Sequence, residues 1–482
     1  MSLTPGAPAP HVIVVGGGIS GLAAAHRLTG AGLRVTLLES AGRLGGKLRR
    51  GSIAGAPVDL GAEALLARRP EALQLARAVG LGDRLRAPAS ASAALWSRGA
   101  LRPVPTRRVL SLPGDRGPGA AGAGPRIEIS EDVSLGHYDA YGYFDGYGYG
   151  SEGALGAGDP YGSDGTYGPR EAEGSDGAPG TETPDGTGDH PDGPRGSAVA
   201  AGRRAPRART RTRDEAPGAG AGPHPAGPSI VGVDGGVGTL PGAVAAAVRA
   251  AGGEIVLDCP ALALNRTPTG WEVRVPARTL DCDGVVIAAP AWVAATLLAA
   301  EAPATAAELS RVDYASTAVV TMAFRRSDLT GLSAFDGRSG FLIPPVDRDL
   351  CHSTIKAATF LSHKWDWVSR RARELFVLRT SIGRHGEEEL LYLDDADLVG
   401  ASLRDLEEVT GLGARPVATE VTRWIDGLPQ YGAGHPARVT RVRDALGRLP
   451  GLALCGAAYD GVDITDCVAS GQRAADELIG AA

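Results

Sequence analysis

The sequence predicts an α/β fold that begins with a Rossmann-like dinucleotide-binding domain, and three observations predict it. A glycine motif lies between the apolar run VIVV at residues 12–15 and an Ala-rich helical run. The next strand run, RVTLLE, ends in an acidic residue. Strand and helix patterns then alternate, as βαβ units require, until the texture changes near residue 114.

The glycine motif has the spacing of a phosphate-binding turn. Gly16, Gly18 and Gly21 form G-x-G-x-x-G, with Gly17, Ile19 and Ser20 between them. The first glycine permits the tight turn, the second lets backbone N–H groups approach a pyrophosphate, and the third lets helix and strand pack closely. Glu39 follows eighteen residues after Gly21. Its carboxylate can accept hydrogen bonds from a ribose diol, which favours an unphosphorylated adenosine ribose.

Composition excludes several classes of protein. The 482 residues carry a net charge of −6, and hydrophobic residues make up 43%. This balance argues against nucleic-acid binding through overall basicity. The five Cys are scattered and the nine His form no HExxH pattern, so neither a disulfide framework nor a metal site is expected. No stretch has the pattern of a signal peptide or a spanning helix, and a cytoplasmic location is expected.

Residues 114–228 have a different composition from the rest of the chain. They contain 28 Gly and 13 Pro, an acidic Gly/Tyr-rich part and six Arg between Arg203 and Arg213. Such a segment buries too little apolar area to offset the entropy of ordering, so we expect a disordered tether. Self-association, contact with RNA or phosphate, and recruitment of a partner protein are alternative roles for it.

The residues after the second strand favour FAD over NAD. The loop GRLGGK at 42–47 offers Arg43 as a bidentate partner for pyrophosphate oxygens, beside two glycines that let the chain pass close to a cofactor. The segment VDLGAEALLARR then brings Asp59, Gly61 and Glu63 back toward the same site. The alternative is that GRLGGK is only a turn and that Arg43 is a solvated charge.

Several separated motifs resemble the flavin monoamine oxidase superfamily and, within it, the FAD-dependent coproporphyrinogen III and protoporphyrinogen oxidases. They are GALRPVP at 99–105, GGVGTLPGAV at 235–244, DGVVIAAPA at 283–291, ATFLSHKWDW at 358–367, RWIDGLPQYGAGH at 423–435 and LCGAAYDGVDITDCVASGQRAA at 454–475. Within these oxidases, the sequence most resembles the soluble type that is found in Gram-positive bacteria. It implies a discontinuous FAD-binding domain with an inserted α+β substrate domain.

The domain boundaries follow from that resemblance. We expect a flexible tail at 1–9 and FAD-binding parts at 10–88, 229–300 and 420–482. The substrate domain is expected at 89–113 and 301–419, with the low-complexity segment 114–228 between its two parts.

The resemblance also implies which residues contact the cofactor. They are the glycine turn, Glu39, Ser40, Arg43 and Lys47, then Gly61, Ala62, Glu63 and Ala64, and further along Ala261, Trp424, Val462, Asp463 and Ile464. A helix starting near Thr465, with that residue as its N-cap, would direct a partial positive charge at the flavin, which becomes anionic on reduction.

The implied reaction is a six-electron oxidation of a porphyrinogen by FAD, with O2 reoxidising the cofactor to give three H2O2. No side-chain nucleophile, acid or base is required, and we name no catalytic residue. Arg68 and Arg69 are the expected anchors for a propionate, with a plain surface role as the alternative. The missing membrane character favours coproporphyrinogen III over protoporphyrinogen IX.

Two departures from the family leave alternatives open. The low-complexity segment stands where the family has helical substrate domain, so a FAD-binding paralogue with little or no porphyrinogen turnover is one alternative. An amine oxidase or carotenoid desaturase is another. Asp463 stands where the family usually has Gly. Its carboxylate either lowers the flavin reduction potential or turns away and caps the following helix.

Overall fold

The computed structural model describes residues 9–104, 108–111, 126–129, 229–344 and 353–481. The expected tail therefore lies almost wholly outside the described residues. So does the expected tether at 114–228, apart from Arg126–Ile129, which pairs with Arg108–Ser111 as an antiparallel strand where we expected disorder.

The strands run in chain order. They are β1 (His11–Val15), β2 (Arg34–Leu38), β3 (Arg50–Ile53), β4 (Ala56–Asp59), β5 (Leu65–Leu66), β6 (Leu85–Arg86), β7 (Ala93–Ser97), β8 (Ala100–Pro103), β9 (Arg108–Ser111), β10 (Arg126–Ile129), β11 (Ile230–Val233), β12 (Glu254–Val256), β13 (Ala263–Arg266), β14 (Trp271–Val275), β15 (Arg278–Cys282), β16 (Gly284–Ile287), β17 (Tyr314–Arg325), β18 (Gly340–Leu342), β19 (Ile355–Thr359), β20 (Leu375–Ile382), β21 (Ala418–Pro429) and β22 (Leu452–Leu454).

The helices are α1 (Ile19–Gly30), α2 (Glu71–Ala78), α3 (Leu240–Ala250), α4 (Ala291–Leu298), α5 (Pro303–Leu309), α6 (Leu361–Lys364), α7 (Asp366–Arg371), α8 (Asp395–Thr410), α9 (His435–Leu446) and α10 (Ile464–Ala481). Short 3-10 turns occupy Gly82–Arg84, Val237–Thr239, Arg326–Leu329, Ser333–Phe335 and Glu388–Tyr392.

A five-stranded parallel sheet forms the nucleotide-binding part, in the order β12-β2-β1-β16-β22. Both faces are buried, because alternate residues of β1 belong to two different cores. Val12 and Val14 pack under α1, α3 and α10. Ile13 and Val15 pack on the opposite side with Trp271 and α4. Apolar runs with no polar alternation are what a parallel sheet covered on both faces requires, so the α/β prediction is confirmed.

A seven-stranded sheet forms the second layer, in the order β21-β17-β20-β19-β18-β7-β8. All its pairings are antiparallel except the one between β18 and β7. One face carries Val320, Phe324 and Phe376, which pack with α8. The other face carries Trp424 and Arg379, which point at the segment after β4.

This sheet draws on distant parts of the chain. Its members come from residues 93–103 and from residues after 313, as the predicted insertion requires. β21 runs to Pro429, however, so residues 420–429 pair in this sheet and not in the part of the FAD-binding domain to which the sequence assigned them. The strand continues past Trp424 with a shift of register, and its pairing with β17 resumes at Leu428 and Pro429. Besides β9-β10, three small sheets complete the described strands: β5-β11-β6, β13-β14-β15 and β3-β4.

Candidate functional site

The glycine turn follows β1 directly, and two of its glycines are required by packing. Gly16 has φ +110°, and a Cβ there would overlap the carbonyl oxygen of Ala288. A Cβ on Gly21 would overlap the carbonyl oxygen of Gly16. These two positions let α1 start close to the sheet, because no side chain lies between the helix and the turn.

Gly18 serves a different purpose from its neighbours. No atom lies within 4 Å of the position that its Cβ would take, so the space above it is open. It is the N-cap of α1, and no side chain caps that helix. The first N–H groups of a helix have no partner within the helix, and the helix dipole favours an anion there. Ile19 and Ser20 form the buried first turn behind it.

Glu39 lies at the carboxyl end of β2, beside the turn. Its Oε2 accepts a hydrogen bond from the N–H of Gly17 at 2.7 Å, and its Oε1 accepts one from the N–H of Ala41 at 2.8 Å. The hydroxyl of Ser40 donates to Oε1 at 3.3 Å. Ala261 lies in the half-buried segment that follows β12, where the N–H of Cys259 donates to the carbonyl oxygen of Glu39.

The GRLGGK loop lies against the glycine turn. The N–H of Gly45 donates to the carbonyl oxygen of Gly17 at 2.8 Å, and Gly18 and Gly45 form a parallel β-bridge. The Arg43 guanidinium is exposed, donates to the carbonyl oxygen of Gly46 at 2.9 Å and lies 5.9 Å from the Trp424 ring centre. Arg43 therefore closes its own loop, as the turn interpretation expects, while it stays at the rim of the open space.

Lys47 and Gly61 bring the next segment into contact with the turn. The N–H of Ala62 donates to the carbonyl oxygen of Lys47 at 3.3 Å, and a Cβ on Gly61 would overlap that carbonyl and contact Trp424. The indole N–H of Trp424 donates to the carbonyl oxygen of Leu60 at 3.0 Å. Burial lowers the pKa of the Lys47 ammonium, and the nearby Cys467 thiol opposes that shift.

Glu63 makes its side-chain contacts with residues of the seven-stranded layer. Its carboxylate is 2% exposed and accepts from Lys364 Nζ at 2.6 Å and from the indole N–H of Trp365 at 3.3 Å. Arg379 lies 3.6 Å away and donates to the carbonyl oxygen of Gly61 at 2.8 Å. The carboxylate is thus held by residues of the second layer, and a contact between Glu63 and the cofactor stays a prediction. Its neighbour Ala64 is half-buried.

The charges around Glu63 decide its ionisation. Burial opposes ionisation, but the charges of Arg379 and Lys364, together with the hydrogen bonds from Lys364 and Trp365, hold the pKa of Glu63 below its ordinary value. Lys364 and Arg379 were missed as site residues. One signal was available, since Lys364 is one of only three Lys in the chain and lies in the conspicuous SHKW motif.

The Asp59 side chain binds the backbone of the GGVGTLPGAV segment. Its carboxylate accepts from the N–H groups of Val237 and Gly238, each at 2.8 Å. Burial raises the pKa of Asp59 to about 7, although both N–H groups oppose the shift and Arg379 opposes it as well. Asp59 therefore holds this segment in place without reaching the open space.

The N-cap of α10 is Asp463, two residues before the predicted Thr465. The helix begins at Ile464, and Asp463 is the residue before it. Asp463 Oδ1 accepts from the N–H groups of Thr465 at 2.6 Å and Asp466 at 3.0 Å. Asp463, and not Thr465, therefore acts as the cap, because it directly precedes the helix and its carboxylate accepts from the second and third helical N–H groups. The capping alternative for Asp463 is the one observed, and Val462 beside it is buried.

The two ends of the predicted site are in direct contact. α10 crosses α1, and a Cβ on Gly471 would overlap the carbonyl oxygen of Ser20. The same close approach lets Cys467 pack beside Ser20. Gly456, with φ +130° and no atom within 4 Å of its Cβ position, leaves a second open space before this helix.

The two arginines of the predicted substrate rim differ in their surroundings. Arg69 forms ion pairs with Asp466 in α10 and, at 3.4 Å, with Glu71. The role of Arg69 as a propionate anchor would require this guanidinium to leave Asp466, and it stays a prediction. Arg68 is exposed and stays a candidate for that role.

Known proteins agree with this geometry. The profile of the flavin containing amine oxidoreductase family matches residues 19–140 and 213–479. The chain belongs to that family. It is 32% identical to the coproporphyrinogen III oxidase of Mycobacterium tuberculosis (strain ATCC 25618 / H37Rv) over 97% of this chain and 96% of the relative.

Two further comparisons extend the likeness. A Bos taurus protoporphyrinogen oxidase is 28% identical over 51% of each chain. A solved structure from Exiguobacterium sp. 255-15, provisionally named a protoporphyrinogen oxidase, is 23% identical and covers 98% of this chain and 100% of its own, with a TM-score of 0.66. At 23% identity, this likeness is evidence for the fold alone.

FAD is the cofactor of this flavin-containing oxidoreductase, and the open glycines test its fit. The space above Gly18 lies beside the Glu39 carboxylate, and the space at Gly456 precedes α10. Backbone N–H groups, a ribose acceptor and a second helix N-terminus are what a dinucleotide with a reducible ring requires. Among the described residues, no helix is long and apolar enough to cross a membrane.

Proposed function

We propose that this flavoprotein oxidises coproporphyrinogen III to coproporphyrin III. Six electrons and six protons leave the substrate in three steps, and three O2 are reduced to three H2O2. Bound FAD supplies the two-electron acceptor chemistry that no side chain provides. The observation that carries the proposal is the similarity to coproporphyrinogen III oxidases along nearly the whole chain, together with the open glycine cradle at Gly18.

The contacts suggest what this chain's own residues do in that reaction. The N-terminus of α1 and the Glu39 carboxylate bind the pyrophosphate and the ribose. The backbone N–H groups of residues 462–464, just before those that Asp463 caps, stabilise the negative charge that develops on reduction. Trp424, fixed by its bond to Leu60, covers Gly61 and helps to exclude water.

Substrate selection is assigned to the exposed rim. Coproporphyrinogen III carries four propionates and protoporphyrinogen IX two, so a guanidinium at the rim favours the first. Arg68 is proposed as this group, because Arg69 is engaged by Asp466. No catalytic acid or base is proposed.

The test is aerobic turnover by the purified full chain loaded with FAD. Coproporphyrinogen III and protoporphyrinogen IX are compared by the fluorescence of the porphyrin formed, and H2O2 is counted per product. We expect preference for coproporphyrinogen III and about three H2O2 per porphyrin. Preference for protoporphyrinogen IX overturns the substrate assignment, and FAD binding without porphyrin formation favours the paralogue without turnover.

A matched pair of variants tests the rim. Arg68→Ala is expected to raise KM for coproporphyrinogen III about tenfold with little change in kcat, because the interaction is already made in the bound substrate. Arg278→Ala is the control, since Arg278 is exposed at the start of β15 in a separate small sheet. Equal KM values for the two variants would show that Arg68 does not bind the substrate.

A further inference from the structure

The loop at residues 456–463, which we call the cap loop, joins β22 to α10. It begins with the open Gly456 and ends with Asp463, which caps α10. The position of the helix N-terminus relative to the cofactor therefore depends on the conformation of this loop. Side chains from outside the cap loop contact its backbone and hold that conformation.

One phenol joins two points of the cap loop. The hydroxyl of Tyr431 donates to the carbonyl oxygen of Ala457 and accepts from the N–H of Gly461 at 3.0 Å. A phenol has one donor and can accept at the same time, so one atom satisfies both backbone groups. Gly461 has φ +133°, a backbone conformation that the bond from its N–H helps to hold.

His435 supports this phenol from the next turn of the chain. Its ring stacks on that of Tyr431, with ring centres 4.1 Å apart and planes 10° from parallel. Its Nε2 lies 3.0 Å from the carbonyl oxygen of Ala458, a contact that requires the proton on Nε2. Burial lowers the pKa of His435, which keeps the ring neutral near pH 7, although the Ala458 contact opposes that shift. The two rings thus hold Ala457, Ala458 and Gly461 from one side.

We propose that Tyr431 is a positioning residue that sets the reduction potential of the bound FAD by fixing the cap loop. Backbone N–H groups stabilise charge only when they are held in place before the charge develops. Without the Tyr431 hydroxyl, Asp460 still ties the loop to Arg443, Ser470 and Arg473. Ala457 and Gly461 lose their bonds, however, and the backbone N–H groups of residues 462–464 lose their fixed direction. The reduced, anionic cofactor loses more stabilisation than the oxidised one, so the potential falls. The inference rests on FAD binding and not on which porphyrinogen is oxidised.

The chain offers a matched control in the same loop. Tyr431→Phe removes the hydroxyl that bonds Ala457 and Gly461. Tyr459→Phe removes a hydroxyl of the same loop that is buried and has no hydrogen-bond partner among the described residues. Both changes delete one oxygen from a tyrosine, so any difference between the variants comes from the two bonds of Tyr431.

The measurement is the two-electron reduction potential of FAD on the holoprotein, without substrate. For Tyr431→Phe we expect a potential about 30 mV lower, which equals a tenfold loss in the binding of reduced relative to oxidised FAD. For Tyr459→Phe we expect no change. Because no porphyrinogen is present, failure of the proposed reaction leaves this result untouched, and the converse also holds.

A second variant covers the case in which Tyr431→Phe does not fold. His435→Phe keeps the stacked ring and removes only the contact with Ala458, so it should lower the potential by a smaller amount. Amide exchange of Gly461 should rise in Tyr431→Phe and stay unchanged in Tyr459→Phe. FAD potentials of Tyr431→Phe and His435→Phe equal to that of Tyr459→Phe would overturn the proposal.

Discussion

The two large sheets build their parts of the site in opposite ways. Beside the five-stranded parallel sheet, the groups that face the open space belong to backbone, at glycines only a few residues apart. Beside the seven-stranded sheet, the groups are charged side chains such as Glu63 and Lys364, which are 301 residues apart in sequence. The first arrangement depends on the absence of side chains, and the second depends on a buried ion pair between distant segments.

The sharpest way to separate the two regions is to break that ion pair. Lys364→Met leaves the Glu63 charge buried without its closest partner, and we expect a loss of about 3–5 kcal/mol in the free energy of unfolding. Urea unfolding of the chain measures it. The double variant Glu63→Gln with Lys364→Met should recover part of the loss, because the unpaired Glu63 charge is then gone while the buried Arg379 loses its ion pair with Glu63.

The control for this experiment is an exposed pair. Arg27 and Asp476 lie 2.7 Å apart and are each more than half exposed, so Arg27→Ala should cost less than about 1 kcal/mol. A Lys364→Met variant as stable as Arg27→Ala would show that the buried pair does not hold the second layer to the first.

The next largest effect is expected at the glycine turn. Gly21→Ala places a methyl group against the carbonyl of Gly16 and should cost about 1–3 kcal/mol. Gly18→Ala meets no atom within 4 Å and should cost only a few tenths of a kcal/mol. FAD titration should rank the two variants in the opposite order. Gly18→Ala should weaken FAD binding more than Gly21→Ala does, because its new methyl group lies in the open space. Unchanged FAD affinity in Gly18→Ala would show that the cofactor does not bind against Gly18.

A smaller effect should appear as pH dependence at Asp59. Its pKa is about 7 in the fold, above the ordinary 3.8, so the folded protein keeps a proton that the unfolded chain releases between these values. The free energy of unfolding therefore falls as pH rises through this window and levels off above it. Relative to Asp59→Asn, the protein should lose about 1 kcal/mol between pH 6 and pH 7. Parallel pH curves for the two proteins would contradict this.

The smallest stability effect is expected at Asp463. Asp463→Ala removes the cap of α10 and should cost about 1 kcal/mol, whereas Asp463→Asn keeps an acceptor for the same N–H groups and should cost less. Asp463→Asn also removes a negative charge before the helix, so the FAD potential should rise. Potentiometry and thermal melts of the two variants separate the capping and electrostatic roles. Equal potentials in Asp463→Asn and the unmodified protein would leave only the cap.

Local patterns gave the parallel sheet with little error. The apolar run at 12–15 and the run RVTLLE match β1 and β2, and the glycine turn and the acidic end of β2 lie together as expected. These features depend on residues close in sequence, so their periodicity and spacing carry the information. The contacts that the sequence did not predict join residues that are far apart in the chain. Glu63 pairs with Lys364, and Arg69 pairs with Asp466, because the fold brings distant helices and strands together.

The crossing of α10 over α1 has a consequence for biosynthesis. The first cradle residue leaves the ribosome long before Gly471, whose missing side chain lets the last helix settle on Ser20. During translation the half-made pocket is open along the whole side that α10 later closes. We therefore expect stable FAD binding to require α10, and shortening the chain before residue 464 should give a colourless protein even though its glycine turn is intact.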